Sequence, residues 1–191
     1  MVFLERIQNP PRKYEEYAYV LDYIPRGKSS TVRGREGIII TAIGEDRLTL
    51  LEVLGVPNSS FEIGERIYIG KEGRTKILSV LGKLEHDKIS AAAQSELKNV
   101  IASIVANNEK RFVDYINNAQ PLTPRIHALE LIPGIGKTYM KTILEERDRE
   151  KFADFNDLQS RVGLKEPAKQ IVERILEELT GEVKVTLFVK K

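Results

Sequence analysis

The run Leu129-Glu-Leu-Ile-Pro-Gly-Ile-Gly-Lys-Thr-Tyr-Met-Lys-Thr-Ile-Leu144 decides how the second half of this chain folds. Pro133 closes a short helix, Gly134-Ile135-Gly136 makes a tight turn, and a second helix opens at Lys137. Two glycines around one isoleucine have a physical reading. The glycines permit a sharp turn and close backbone approach, while Ile135 plugs the angle between the helices. The first amides of the second helix have no partners within it and point outward, where they can meet an anion such as a phosphate. Lys137 and Lys141, one helical turn apart, add positive charge at the same place.

This stretch resembles the helix-hairpin-helix motif of DNA- and RNA-processing proteins. Leu129, Leu131 or Ile132, Gly134, Ile135, Gly136 and Ile143 match that motif. Met140 stands where a small alanine commonly packs, and Thr138 where a second lysine is common. The resemblance implies that the hairpin grips sugar-phosphate without reading bases. Downstream, Asp154 caps a helix through Leu158 to Val162, Gly163 ends it, and Pro167 opens another over Ala168–Leu179. This is a degenerate second hairpin. It has only Gly163, with Lys165 and Glu166 where another glycine would help, so it reads as structural.

Upstream, Leu97, Val100, Ile101, Ile104 and Val105 recur at helical spacing behind a Ser90 cap. Asn107-Asn108 interrupts, Glu109–Ile116 resumes, and Thr123-Pro124 is expected to open a further helix. Before His86 the period is that of strands. Tyr17–Ile24 alternates, with Tyr17, Tyr19, Leu21 and Tyr23 on one face; that tyrosine stripe reads as barrel core, with a platform for stacking bases as the alternative. Gly37–Ile43, Leu48–Leu54, Arg66–Gly70 and Lys76–Leu81 are further strand candidates joined by turns. Val183–Val189 alternates again and is expected to return to an edge of the N-terminal sheet. The predicted fold class is α+β in two domains. Residues 1–88 form a small OB-like β-barrel with an N-terminal arm around Pro10-Pro11. Residues 89–181 form an all-α connector with tandem helix-hairpin-helix units, and 182–191 a last strand.

Composition narrows function. The chain has 191 residues, of which 41% are hydrophobic and 30% charged. No apolar run approaches the roughly 20 residues that span a bilayer, so no membrane is expected as partner. No secretory signal is read at the start of the chain. There is no cysteine and there are two histidines, His86 and His127. That leaves no thiolate site and little for a metal cluster or a serine-type triad, and no metal, cofactor or catalytic residue is predicted. The net charge is +2, with 14 basic against 13 acidic residues through Lys88 and 16 against 15 beyond it. A uniformly basic nucleic-acid wrapper is thereby excluded, and an anionic partner must be held by a local patch or by backbone donors. One such patch is Pro25-Arg-Gly-Lys-Ser-Ser-Thr-Val-Arg-Gly-Arg35, with Arg26, Lys28, Arg33 and Arg35 and no acid before Glu36. In an OB-type barrel, this first loop is where unpaired strands are often met; the alternative is a flexible, solvated basic loop.

Taken with Tyr17-Ala-Tyr-Val-Leu-Asp22, Gly64-Glu-Arg-Ile-Tyr-Ile-Gly70 and Ile175-Leu-Glu-Glu-Leu179, the whole pattern resembles an archaeal family of uncharacterised proteins. Its members join an OB-like barrel to a helix-hairpin-helix region, and the resemblance implies RNA or DNA as partner and a cytoplasmic location. The expected function is non-enzymatic, largely sequence-independent nucleic-acid binding, RNA favoured over DNA. Its binding residues would be Gly134, Ile135, Gly136, Lys137 and Lys141 with Arg26, Lys28, Arg33 and Arg35. The alternative is an adaptor that docks on protein partners within a larger nucleic-acid-processing assembly.

Overall fold

Apolar runs broken by turns become five strands in the computed structural model, which describes residues 14–191. The arm around Pro10-Pro11 lies outside the described residues. The strands are β1 (Tyr17–Lys28), β2 (Glu36–Gly44), β3 (Leu50–Gly55), β4 (Arg66–Tyr68) and β5 (Ile77–Lys83). They pair antiparallel in the order β4-β1-β2-β3-β5. Placing β4 beside β1 makes the first four a Greek key, and β5 extends the sheet from β3. The sheet curls into a half-barrel around Ala18, Val20, Ile40, Val53, Ile67 and Ile77. Among the described residues β4 and β5 do not pair, so the curl stays open along one seam.

β1 carries a register shift between Val20 and Asp22. An extra residue in a strand reverses which face the following side chains take. The expected single tyrosine face is therefore broken. Tyr19 and Leu21 join the core beneath the helices, whereas Tyr23 packs on the half-barrel side, 6.1 Å from the Phe61 ring. Tyr17 meets Tyr68 edge-on at 5.3 Å and lies under the Arg66 guanidinium.

Five α-helices follow among the described residues: α1 (Ala91–Asn107), α2 (Glu109–Asn118), α3 (Lys137–Arg149), α4 (Phe155–Val162) and α5 (Pro167–Thr180). Ser90 Oγ accepts the Ala93 amide at 3.0 Å and starts α1. Asp154 accepts the Asp157 amide at 2.7 Å and starts α4. Gly163 and Gly181 stop α4 and α5 in the left-handed conformation that favours glycine.

Two local expectations are corrected. Thr123-Pro124 opens no helix. Thr123 Oγ1 accepts the amides of Arg125 and Ile126, and the Leu122 N–H donates to the Ile126 carbonyl at 2.8 Å. These bonds close a short finger, bridged at its base by Pro121 and His127, before a helical turn can start. What precedes Pro133 is a single 3-10 turn, Ala128–Leu131. The C-terminal strand is also absent. Glu178 Oε1 accepts the successive amides of Leu187, Phe188 and Val189, which curls the tail and uses the donors a ladder would need. The tail does reach the sheet: the Lys190 amide donates to the Arg47 carbonyl at 3.0 Å.

The main core runs through both halves. Tyr19, Leu21, Ile43 and Leu50 from the sheet and Leu48 from the β2–β3 turn form one buried cluster with Leu97, Ile101 and Ile104 of α1 and with Ile143 and Ile175 further on. The predicted boundary at residue 88 falls in the 3-10 turn His86–Lys88, and this cluster spans it.

Candidate nucleic-acid interface

The Gly134–Gly136 turn is built from backbone conformation and packing. Gly134 has φ +82°, in the left-handed region, and an added Cβ would lie 2.9 Å from the Gln170 side chain on α5. A side chain there would be both strained and obstructed. Ile135 is 4% exposed and belongs to the main core, so it fills the angle between the 3-10 turn and α3. Gly136 caps α3 with no side chain accepting its first amides, and the space around its Cα is open. Met140, where the motif commonly has a small alanine, packs half-buried against the core. Lys137 and Lys141 are exposed on α3, and among the described residues neither forms an ion pair.

The second turn region has the same helix–turn–helix order with different chemistry. Leu164 is buried behind Gly163, and Glu166 takes a left-handed φ of 48° before Pro167. Lys169 lies 3.8 Å from Glu166, so local charge is balanced there.

The basic loop is fixed by a residue that sequence reasoning passed over. Glu52 sits on β3 in an otherwise apolar run and is 4% exposed. Its carboxylate accepts the hydroxyls of Ser29, Ser30 and Thr31 and the amides of Ser30 and Thr31. Burial pushes the Glu52 carboxyl up, but these bonds outweigh it and hold its pKa below the ordinary carboxylate value. The hydroxyls that give the loop a flexible composition are therefore spent on order. Arg26 and Lys28 stand at the end of β1, Arg33 and Arg35 on the turn beyond, all exposed. Lys28 faces Glu36 across the pair at 3.8 Å; Arg26, Arg33 and Arg35 form no ion pair among the described residues. The only advance sign of this arrangement was one acid inside Leu50-Leu-Glu-Val53.

The structure thus gathers the predicted residues into two groups. Arg26, Lys28, Arg33 and Arg35 share the β1–β2 hairpin, braced by β3 through Glu52. Gly134, Ile135, Gly136, Lys137 and Lys141 share the turn and start of α3, with Gln170 of α5 close against Gly134. His127 belongs to neither. Its Nδ1 accepts the Leu129 amide at 3.1 Å, and burial, with the nearby Arg147 charge, lowers its pKa. Among the described residues no three His, Asp or Glu side chains are grouped to hold a metal ion, and no helix is long and apolar enough to cross a membrane.

Fold and surface define an α+β protein in which a Greek-key half-barrel and a helical array share one core. Residues 14–190 match the family model described as a protein of unknown function, DUF655, and the chain belongs to that family. It is 41% identical over 185 residues to the uncharacterized protein MJ0038 of Methanocaldococcus jannaschii, covering 96% of this chain and 83% of that protein. The crystal structure of Af1531 from Archaeoglobus fulgidus superposes with a TM-score of 0.81 at 38% identity, over 92% of this chain and all of the other.

Proposed function

We propose that this protein binds nucleic acid, without catalysis and largely without reading sequence, through backbone phosphates. The observation that carries this reading is the start of α3. Its amides lack a side-chain cap, Gly136 leaves the approach open, and Lys137 and Lys141 stand beside it without acidic partners. A helix N-terminus of this kind favours phosphate through both its donors and its dipole. The 3-10 turn, hairpin and α3 support a helix-hairpin-helix reading. The Greek-key order and open seam support an OB-like one, from which the antiparallel β3–β5 pair is a departure. A half-barrel suits unpaired strands and a backbone-gripping hairpin suits an adjoining duplex, a combination found in structured RNA, so RNA is favoured over DNA.

The adaptor reading draws on a different observation. The finger between Pro121 and His127 exposes Leu122 and Ile126, at 44% and 42%. Such a tip suits a protein partner better than a phosphate backbone.

The test is fluorescence anisotropy with single-stranded RNA, structured RNA and duplex DNA at two salt concentrations. Lys137→Glu with Lys141→Glu should weaken binding at least tenfold, and loss of two phosphate contacts should reduce the salt slope by about two. Unchanged affinity in the folded double variant would overturn the role of α3. A wild-type protein that binds none of the three at low salt would favour the adaptor.

A further inference from the structure

The seam between β4 and β5 opens into a cleft of about 630 Å³. This is within the range of roughly 300–1,000 Å³ typical of sites for small ligands. One wall is formed by Tyr68, Ile69, Gly70 and Lys71 at the exit of β4, the other by Val80 and Lys83 of β5. Arg74 holds these walls in place without strand pairing. Its Nε donates to the Gly70 carbonyl at 2.6 Å, its Nη2 to Ile69 at 3.0 Å, and its Nη1 to Leu78 across the seam at 3.1 Å. A guanidinium spends its donors in fixed directions, so the opening is part of the fold and not a frayed edge.

We propose that this cleft binds a nucleobase together with its phosphate, the base resting on Tyr14 and the phosphate meeting Lys71 and Lys83. The inference rests on the reading that the chain binds nucleic acid, and it names a second, separate place where it does so. Tyr14 lines the cleft and is 67% exposed, an unusual position for a large ring, and Lys71 Nζ lies 4.8 Å from its centroid. Lys71 covers one face of the ring, and an exposed opposite face with a lysine charge close by is the arrangement on which unpaired bases stack. Neither Lys71 nor Lys83 forms an ion pair among the described residues. Glu15, Glu16 and Glu72 also line the cleft, as do Arg47 and Arg74, so its lining is close to charge balance and suits a ligand carrying few negative charges. A single phosphodiester or monophosphate fits that balance better than a triphosphate. Both a free nucleotide and a residue in an unpaired strand present this chemistry.

The test compares the full chain with a Tyr14→Ala, Lys83→Glu variant, two exposed positions whose replacement leaves the cores intact. The probes are unpaired oligoadenylate and oligouridylate, duplex RNA, AMP, UMP and ATP. Affinity is read from the anisotropy of labelled strands; the chain has seven tyrosines and no tryptophan, so the part of the emission quenching that disappears with Tyr14 reports stacking on that ring. Expected are quenching by the oligonucleotides, at least tenfold loss of their affinity in the seam variant, and unchanged duplex binding. Competition by AMP or UMP, more than by ATP, would assign the cleft to free nucleotides; its absence would assign it to strands. A seam variant that binds unpaired strands like wild type overturns the inference while leaving the α3 reading intact. Wild type that binds strands only through Lys137 and Lys141 does the same. Wild type that binds no probe overturns both.

Discussion

Two residues show how single side chains set the candidate surfaces. Glu52 is a carboxylate removed from water and repaid by three hydroxyls and two amides. Replacing it with glutamine leaves an acceptor that cannot satisfy all of them, at a cost of about 1–3 kcal/mol. Urea unfolding should show that loss, and the Ser30 and Thr31 amides should exchange faster. The pH dependence has a defined sign. Because the folded-state pKa lies below the ordinary value, the contribution of Glu52 is complete above about pH 4.3. It is lost as pH falls through the lowered folded value, so loop protection should fail in acid. Gly134 makes the second case. Alanine there meets a left-handed φ and the Gln170 side chain together, and should cost roughly 1–2 kcal/mol from the backbone alone. Adding Gln170→Ala should recover only the obstruction, and the double-mutant cycle in unfolding free energy separates the two.

At the scale of elements, the C-terminal tail is held by one buried ion pair on α5. Glu178 Oε2 accepts from Arg174 Nε at 2.9 Å while Oε1 takes three tail amides, and Arg174 also donates to the carbonyls of Leu131 and Val185. The pair thus ties α5, the 3-10 turn before the hairpin and the tail to one point. Phe188, delivered by that tail, lies 5.7 Å from Phe112 and 4.7 Å from Tyr115. Burial pushes the Tyr115 hydroxyl up to about 12, with the Glu178 charge adding to it. Glu178→Ala leaves Arg174 buried without its partner, and such losses run to about 3–5 kcal/mol. Limited proteolysis should cut the tail of that variant between Val183 and Lys191, where wild type resists.

At the scale of the molecule, the sheet and the helices bury a common core. α1 lies against β1, and Leu48 and Leu50 meet the same cluster as Ile143 and Ile175. Two units sharing one core lose it together. Calorimetry should therefore give a single transition with matching calorimetric and van't Hoff enthalpies, and separated halves should fail to reproduce it. Two distinct transitions would mean that the halves melt independently. The same arrangement places the β1–β2 hairpin and the start of α3 on one scaffold, so a ligand that engages both would do so without an ordering cost between domains.

Local chemistry determined much of this protein by itself. Ser90, Asp154, Gly163, Pro167 and Gly181 mark helix ends because caps and stops depend on atoms within a few residues. The Gly134–Gly136 turn was legible for the same reason, as was the alternation of apolar and polar residues that makes strands. Only the tertiary structure decided the rest. The bulge after Val20 splits the tyrosine stripe because register depends on β2. Val183–Val189 alternates like a strand, yet Glu178 takes its amides, a competition that no periodicity records. Arg74 and Gln170 look like ordinary surface residues in sequence, and Glu52 shows only as one acid in an apolar run. Each acquires its role from a loop, a seam or a glycine brought beside it by folding, and those contacts are not encoded in any local pattern.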